Sequence, residues 1–174
     1  MDDLRYPVGP HDPSALVTPD QVRQAIEDIR ALPGRLAEAV RGLDDTQLDT
    51  PYRPEGWTVR QVVHHVVDSH VNAYVRLRLA LTEDRPPIRG YQQELWAELP
   101  DARTLPVEPS LKILRGLHER WTALLDHLGP EQLGRPLEHS EIGTLTVSQL
   151  TCLYGWHSRH HVAHITALRA RKGW

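Results

Sequence analysis

The stretch Trp156-His157-Ser158-Arg159-His160-His161-Val162-Ala163-His164 constrains this chain more than any other. It carries four of the eleven histidines, and it interrupts an apolar helical period. Steps of three and four residues run from Val147 through Leu150 and Tyr154 to His157 and His161, then on to His164 or Ile165 and Leu168. Such a stripe is the face an amphipathic helix buries, so imidazoles stand where leucine is the usual occupant. His157 and His161 are an i, i+4 pair, which puts both rings on one face, one turn apart. Buried imidazoles need hydrogen-bond partners or a ligand, and a divalent metal answers for two of them at once. A lone histidine here would read as a polar residue on a wet face; a spaced pair on the apolar stripe favours metal. No Glu follows His157, so the metalloprotease pattern H-E-x-x-H is absent. No histidine has a Glu three residues before it, which disfavours a carboxylate-bridged di-iron bundle.

The rest of the chain supplies the helices that such a site needs. Residues 1 to 17 hold Pro7, Gly9, Pro10 and Pro13 with no helical period, and read as an extended arm that packs on something. Thr18-Pro19-Asp20-Gln21 opens the first helix, with Thr18 as N-cap and Gln21 completing a capping box. Its apolar positions run from Val22 to Leu43, with a kink expected at Pro33-Gly34 and a stop at Gly42 and Asp44-Asp45. Residues 46 to 56 read as a loop. Thr58 and Gln61 form a second capping box, and helical spacing continues to Leu81. A Pro-rich connection over residues 82 to 109 leaves room for a short helix at Gln92 to Leu99, around Trp96. Ser110 reads as the cap of a third helix, stopped by Gly129-Pro130. A second connection follows, and Thr146 with Gln149 starts the histidine helix. Four long amphipathic helices joined by long crossover connections predict an all-α four-helix bundle, 1–174 as one domain, with 1–17 as the arm and 18–174 as the bundle.

A chain of 174 residues suits one core. A net charge of -3 with scattered Lys and Arg gives no support for nucleic-acid binding. No apolar run has the length to cross a membrane. The single cysteine excludes an intramolecular disulfide, and Met1-Asp2-Asp3-Leu4 lacks a signal peptide's basic and apolar regions. A cytoplasmic protein is the expectation.

Two histidines do not close a metal site, so a third ligand is expected from another helix. The second helix offers His64, His65 and His70. His70 lies closest to the stripe of Val63, Val66, Tyr74 and Leu77, His65 lies off it, and periodicity does not choose among the three. The run from Gly56-Trp57-Thr58 through His64-His65 to Asp68-Ser69-His70, together with the stretch around His157 and His161, resembles the DinB superfamily. The likeness is closest to its YfiT-like branch of metal-dependent hydrolases, near the bacillithiol S-transferases, and extends from Leu4-Arg5-Tyr6-Pro7 to Gly173-Trp174. What the resemblance implies is a bundle, usually homodimeric, that binds one divalent metal per chain through three histidines. The family's first ligand, eight residues after the helix-two Trp, corresponds to His65; the other two correspond to His157 and His161. His160 and His164 form the rival pair of the same spacing, but His160 leaves the apolar stripe.

Three neutral imidazoles suit zinc, with nickel as the alternative, and leave open positions. An ion so held can supply hydroxide for hydrolysis or hold a small-molecule thiol as thiolate. Asp68, one turn after His65, is a candidate to hydrogen-bond a ligand imidazole. Cys152 reads as a small buried hydrophobe, Trp57 and Trp156 as packing anchors, and Tyr154 as packing near the site. Arg53 and Arg60 could meet a substrate carboxylate or could be surface charge. The non-catalytic alternative is a metal that staples a ligand-binding or stress-response bundle, closed by a fourth ligand from Glu138, His139 or Glu141. A haem-binding bundle is a third possibility, which visible absorbance would expose.

Overall fold

The computed structural model describes residues 4–174. Met1, Asp2 and Asp3, whose acidity entered the reading of the N-terminus, lie outside the described residues. The elements in chain order are α1 (Pro19–Val40), α2 (Asp45–Leu48), α3 (Val59–Thr82), β1 (Pro87–Ile88), α4 (Gln93–Trp96), α5 (Pro100–Thr104), α6 (Glu108–Leu125), α7 (Pro130–Leu133), β2 (Pro136–His139), β3 (Gly143–Thr146) and α8 (Val147–Lys172). The long helices are α1, α3, α6 and α8. Three of them begin at the expected capping boxes. Thr18, Thr58 and Thr146 each accept from the N–H three residues on and donate their own N–H to the Gln side chain there, at 2.8 to 3.3 Å. Each such cap stabilises its helix by about 1 kcal/mol.

α1 packs mainly on α6 and α8, and α3 packs mainly on the same two helices. The helices α1 and α3 are therefore diagonal in the bundle, as are α6 and α8, and the chain crosses the bundle twice. α3 is buried almost all round, which is why its apolar period is blurred in sequence. The apolar core falls into two clusters. Along α3 the first ends at Val67 and the second begins at Ala73; along α6 Leu114 belongs to the first and Trp121 to the second; along α8 Tyr154 belongs to the second and Ile165 to the first. Between these positions stand Ser69 and His70, His118, and His157 to His164. A polar layer rich in histidine thus divides the core.

α1 runs through Pro33 as one helix, and the carbonyl that proline leaves without a donor is met from α6 by His118. Several other elements depart from expectation. Asp44 does not merely end α1: with Gln47 it makes a capping box for α2 inside the expected loop. α6 begins at Glu108, two residues before Ser110, whose hydroxyl instead meets His64 Nδ1 at 2.8 Å. The two connections also pair with each other in a small sheet of order β1-β2-β3. β1 runs parallel to β2, with Ile88 opposite His139, and β2 runs antiparallel to β3, with Leu137 opposite Leu145. Ile88, Leu137 and Leu145 point into the second core cluster, so the sheet closes that part of the core. No helix among the described residues is long and apolar enough to cross a membrane.

The N-terminal arm lies along α8. Trp156 Nε1 donates to Gly9 O at 3.0 Å, His164 Nε2 donates to Arg5 O at 3.1 Å, and Gln149 Nε2 donates to the carbonyls of Ser14 and Ala15. Its presence buries a face of α8 that the helical period assigns to solvent, His160 included.

Candidate metal centre

His157 and His161 are one turn apart on α8, with ring centroids 4.4 Å apart. His65 of α3 faces both, at 4.8 Å from the His161 ring and 5.4 Å from the His157 ring. Each of the three offers one ring nitrogen such that the three atoms lie within 4.8 Å of one another. That spacing leaves one ion-sized gap between imidazoles, and neutral imidazole nitrogens are the donors zinc and nickel accept. Burial holds all three rings neutral. It pushes His65 down to about 3, aided by His160 and His164, and carries His157 and His161 well below their ordinary range, aided by the neighbouring imidazoles. His157, although closely packed, keeps part of its surface accessible.

The cluster opens into a cavity of about 360 Å³, walled by Tyr52, Trp57 and Trp156 and rimmed by Arg5, Arg53 and Glu94. Trp57 leans on His65 with centroids 4.6 Å apart, and Trp156 stacks on His160 at 4.3 Å. The two tryptophans thus pack and line the site together. His157 also borders a second cavity of about 380 Å³, with Ser69, Arg76, His139 and Tyr154 in its wall.

His160, His161 and His164 form a second cluster with the same spread of donor atoms, and His161 belongs to both. In this cluster His164 is already engaged. Its Nε2 donates to Arg5 O, so in the neutral ring Nδ1 carries the lone pair, and His161 Nδ1 stands 3.4 Å from it. Read as a donation from His161 to His164, this bond leaves His161 Nε2 free. His160 presents no such partner: its Nδ1 is buried without one, and its ring is sandwiched near Trp156 and Tyr6.

The remaining candidates sort out by their contacts. His64 is tied at both nitrogens, to Ser110 Oγ and, at 3.2 Å, to Leu105 O. His70 is fully buried, with Nδ1 on His118 and Nε2 on His157. Asp68 makes no hydrogen bond to a histidine; burial, with Asp101 nearby, pushes its carboxyl up to about 6. The ring that hydrogen-bonds His157 is His70, not this carboxylate. Arg60 is not surface charge and does not reach the cavity: it is buried and bridges Asp45, Asp49 and Leu105 O at 2.7 to 3.0 Å. Arg53 does line the cavity, with Nε donating to Tyr52 Oη. Cys152 packs with Val22 and Ala25, and burial pushes its thiol up to about 11, which removes it as a nucleophile. Tyr154 is a buried wall, its hydroxyl 3.4 Å from Arg76. Glu138, His139 and Glu141 belong to neither histidine cluster. The sequence reading missed His118, whose only signal was its place on the apolar stripe of α6 between Leu114 and Trp121.

The model of the DinB superfamily matches residues 17–165 of this chain. The chain belongs to the DinB superfamily. A Bacillus cereus (strain 03BB102) protein named "Putative metal-dependent hydrolase" is 51% identical over the full length of both chains. A Bacillus mycoides relative with the same description is equally similar. Among solved structures, YfiT from Bacillus subtilis superposes with a TM-score of 0.94 at 46% identity, covering 99% of each chain, and is described as a probable metal-dependent hydrolase with an unusual four-helix bundle topology. A further four-helix bundle protein, at 21% identity and TM-score 0.54 over 86% of this chain and 98% of its own, shares the fold. The metal-dependent hydrolase descriptions of the full-length relatives and of YfiT, and the histidine clusters here, point the same way.

Proposed function

We propose that this DinB protein is a metal-dependent enzyme in which His65, His157 and His161 hold one divalent ion, zinc or nickel, that activates a small nucleophile. The observation that carries this is the convergence of three neutral imidazole donors, from two facing helices, at one end of a walled cavity. Three features support the choice of cluster. His164 already engages both nitrogens, whereas His161 keeps Nε2 and His65 has no competing hydrogen bond among the described residues. When bound, such an ion acidifies the water or thiol in its open position, a water to a pKa of about 7. The chain's own residues bind, orient and shield: α8 sets two donors, α3 sets the third, and the aromatic walls limit access by bulk water.

Hydrolysis, with water as nucleophile, is the first reading, because the full-length relatives bear hydrolase descriptions. Thiol transfer of the bacillithiol type would use the same residues with a low-molecular-weight thiol in the open position, since Cys152 supplies no thiolate. A stapling role for the metal has less support, because Glu138, His139 and Glu141 do not join the cluster. Calorimetric titration of the metal-loaded and metal-free protein with bacillithiol separates hydrolysis from thiol transfer. Hydrolysis predicts no metal-dependent heat of binding, and a saturable heat present only in the loaded protein would move the assignment to thiol transfer.

A further inference from the structure

Pro33 stands in mid-α1 without an N–H, so the carbonyl of Ile29, four residues earlier, lacks its helical donor. His118 of α6 fills that place, with Nδ1 at 2.5 Å from Ile29 O. A carbonyl can only accept, so His118 Nδ1 carries the proton. Burial keeps the His118 ring neutral, pushed down to about 4, and its Nε2 is therefore a lone pair. That lone pair lies 3.0 Å from His70 Nδ1, which must donate to it. His70 is fully buried and both its hydrogen-bond partners are imidazoles, with no anion to balance a charged ring, so the neutral ring's Nε2 is in turn an acceptor, 3.1 Å from His157 Nδ1. His157 must donate there. Its one remaining lone pair is on Nε2.

We propose that His118 and His70 are positioning residues for the metal centre: three N–H donations in series, begun by the carbonyl that Pro33 leaves open, lock His157 as its Nδ1–H tautomer and keep Nε2 for the ion. The inference rests on the reading of His157 as a ligand. Ligating histidines are commonly oriented by a carboxylate or a backbone carbonyl; here the carbonyl belongs to a third helix and acts through two intervening imidazoles. A chain of this kind has a defined direction, because reversing any one donation would aim two lone pairs or two N–H groups at each other. Apolar side chains at positions 70 and 118 would fill the same core space with no polar group to satisfy, so packing alone does not account for these residues.

Long-range nitrogen–proton NMR of labelled wild-type protein reads the tautomers directly, with and without zinc. The expected pattern is a protonated Nδ1 on His118, His70 and His157, with only the His157 Nε2 signal of these three moving when zinc binds. His118→Leu breaks the series, whereas His118→Gln keeps a donor for Ile29 O and an acceptor for His70. In competition with a chelator, the Leu variant should bind zinc roughly 10- to 100-fold more weakly, and the Gln variant should stay within about threefold of wild type. A His157 protonated at Nε2 in zinc-loaded protein, or undiminished affinity in the Leu variant, would overturn the inference alone. Absence of zinc uptake by the wild type would overturn both it and the site reading beneath it.

Discussion

Gly155 shows how closely one residue sets the site. It sits on α8 two residues before His157, where the helix meets α1, and a Cβ there would come within 2.7 Å of both Cα and Cβ of Ala25. Alanine has the higher helix propensity, by about 1 kcal/mol. Overpacking costs about 1–3 kcal/mol, and the nearest atoms belong to backbone and a methyl group that cannot rotate away. Gly155→Ala should therefore lower the urea midpoint, by a net loss of up to about 2 kcal/mol; a higher midpoint would show that α1 and α8 can part without cost. The buried histidines are set with similar economy. His64, His70, His118 and His164 each engage both ring nitrogens, which leaves the open donors on the residues that face the gap.

At the scale of the elements, local signals were legible and pairings between distant segments were not. Thr18, Thr58 and Thr146 announce three helices because a capping box is closed within four residues. Ser110 resembled such a cap, but its hydroxyl is drawn to His64, and α6 starts three residues earlier than that cap implies, at Glu108, with Pro109 in its first turn. The strands Pro87–Ile88 and Pro136–His139 are too short to carry a period, and each exists only through the other. The two donors on α8 could be read from their spacing, since the helix itself places them together. His65 could not, because the part of α3 that carries it, residues 59 to 67, is buried all round; only the family resemblance singled it out. His160 was expected to leave the buried stripe. It is buried because residues 5 to 15 lie over α8, a contact no helical period encodes.

For the whole molecule, the histidine layer makes folding sensitive to acid. The ordinary value for these rings is 6.5, and burial carries His65 to about 3 and His118, His160 and His164 to about 4, with His70, His157 and His161 well below 6.5 as well. A base with a depressed folded pKa is held neutral by the fold, while the unfolded chain takes up protons below 6.5. Stability from these groups is thus full above 6.5 and is lost as pH falls toward 4, each contributing a slope of up to about 1.4 kcal/mol per pH unit. Asp68, raised to about 6, acts oppositely, since its contribution is full below 3.8 and lost as pH rises through about 6; one group does not offset several. Metal-free protein should show a steep fall in its urea midpoint between pH 6.5 and 5. A flat profile across that interval would mean the layer hydrates without unfolding.

The central claim is that His65, His157 and His161 hold the ion, and metal content per chain tests it most directly. Protein loaded with zinc or nickel and freed of excess would be measured by mass spectrometry as wild type and as His65→Ala, His157→Ala, His161→Ala and His164→Ala. The expected result is one ion per chain in the wild type and in His164→Ala, and near-complete loss in the other three. Retention in His65→Ala and His157→Ala with loss in His164→Ala would move the site to the neighbouring cluster, and a wild type that takes up no metal would contradict the account at its centre.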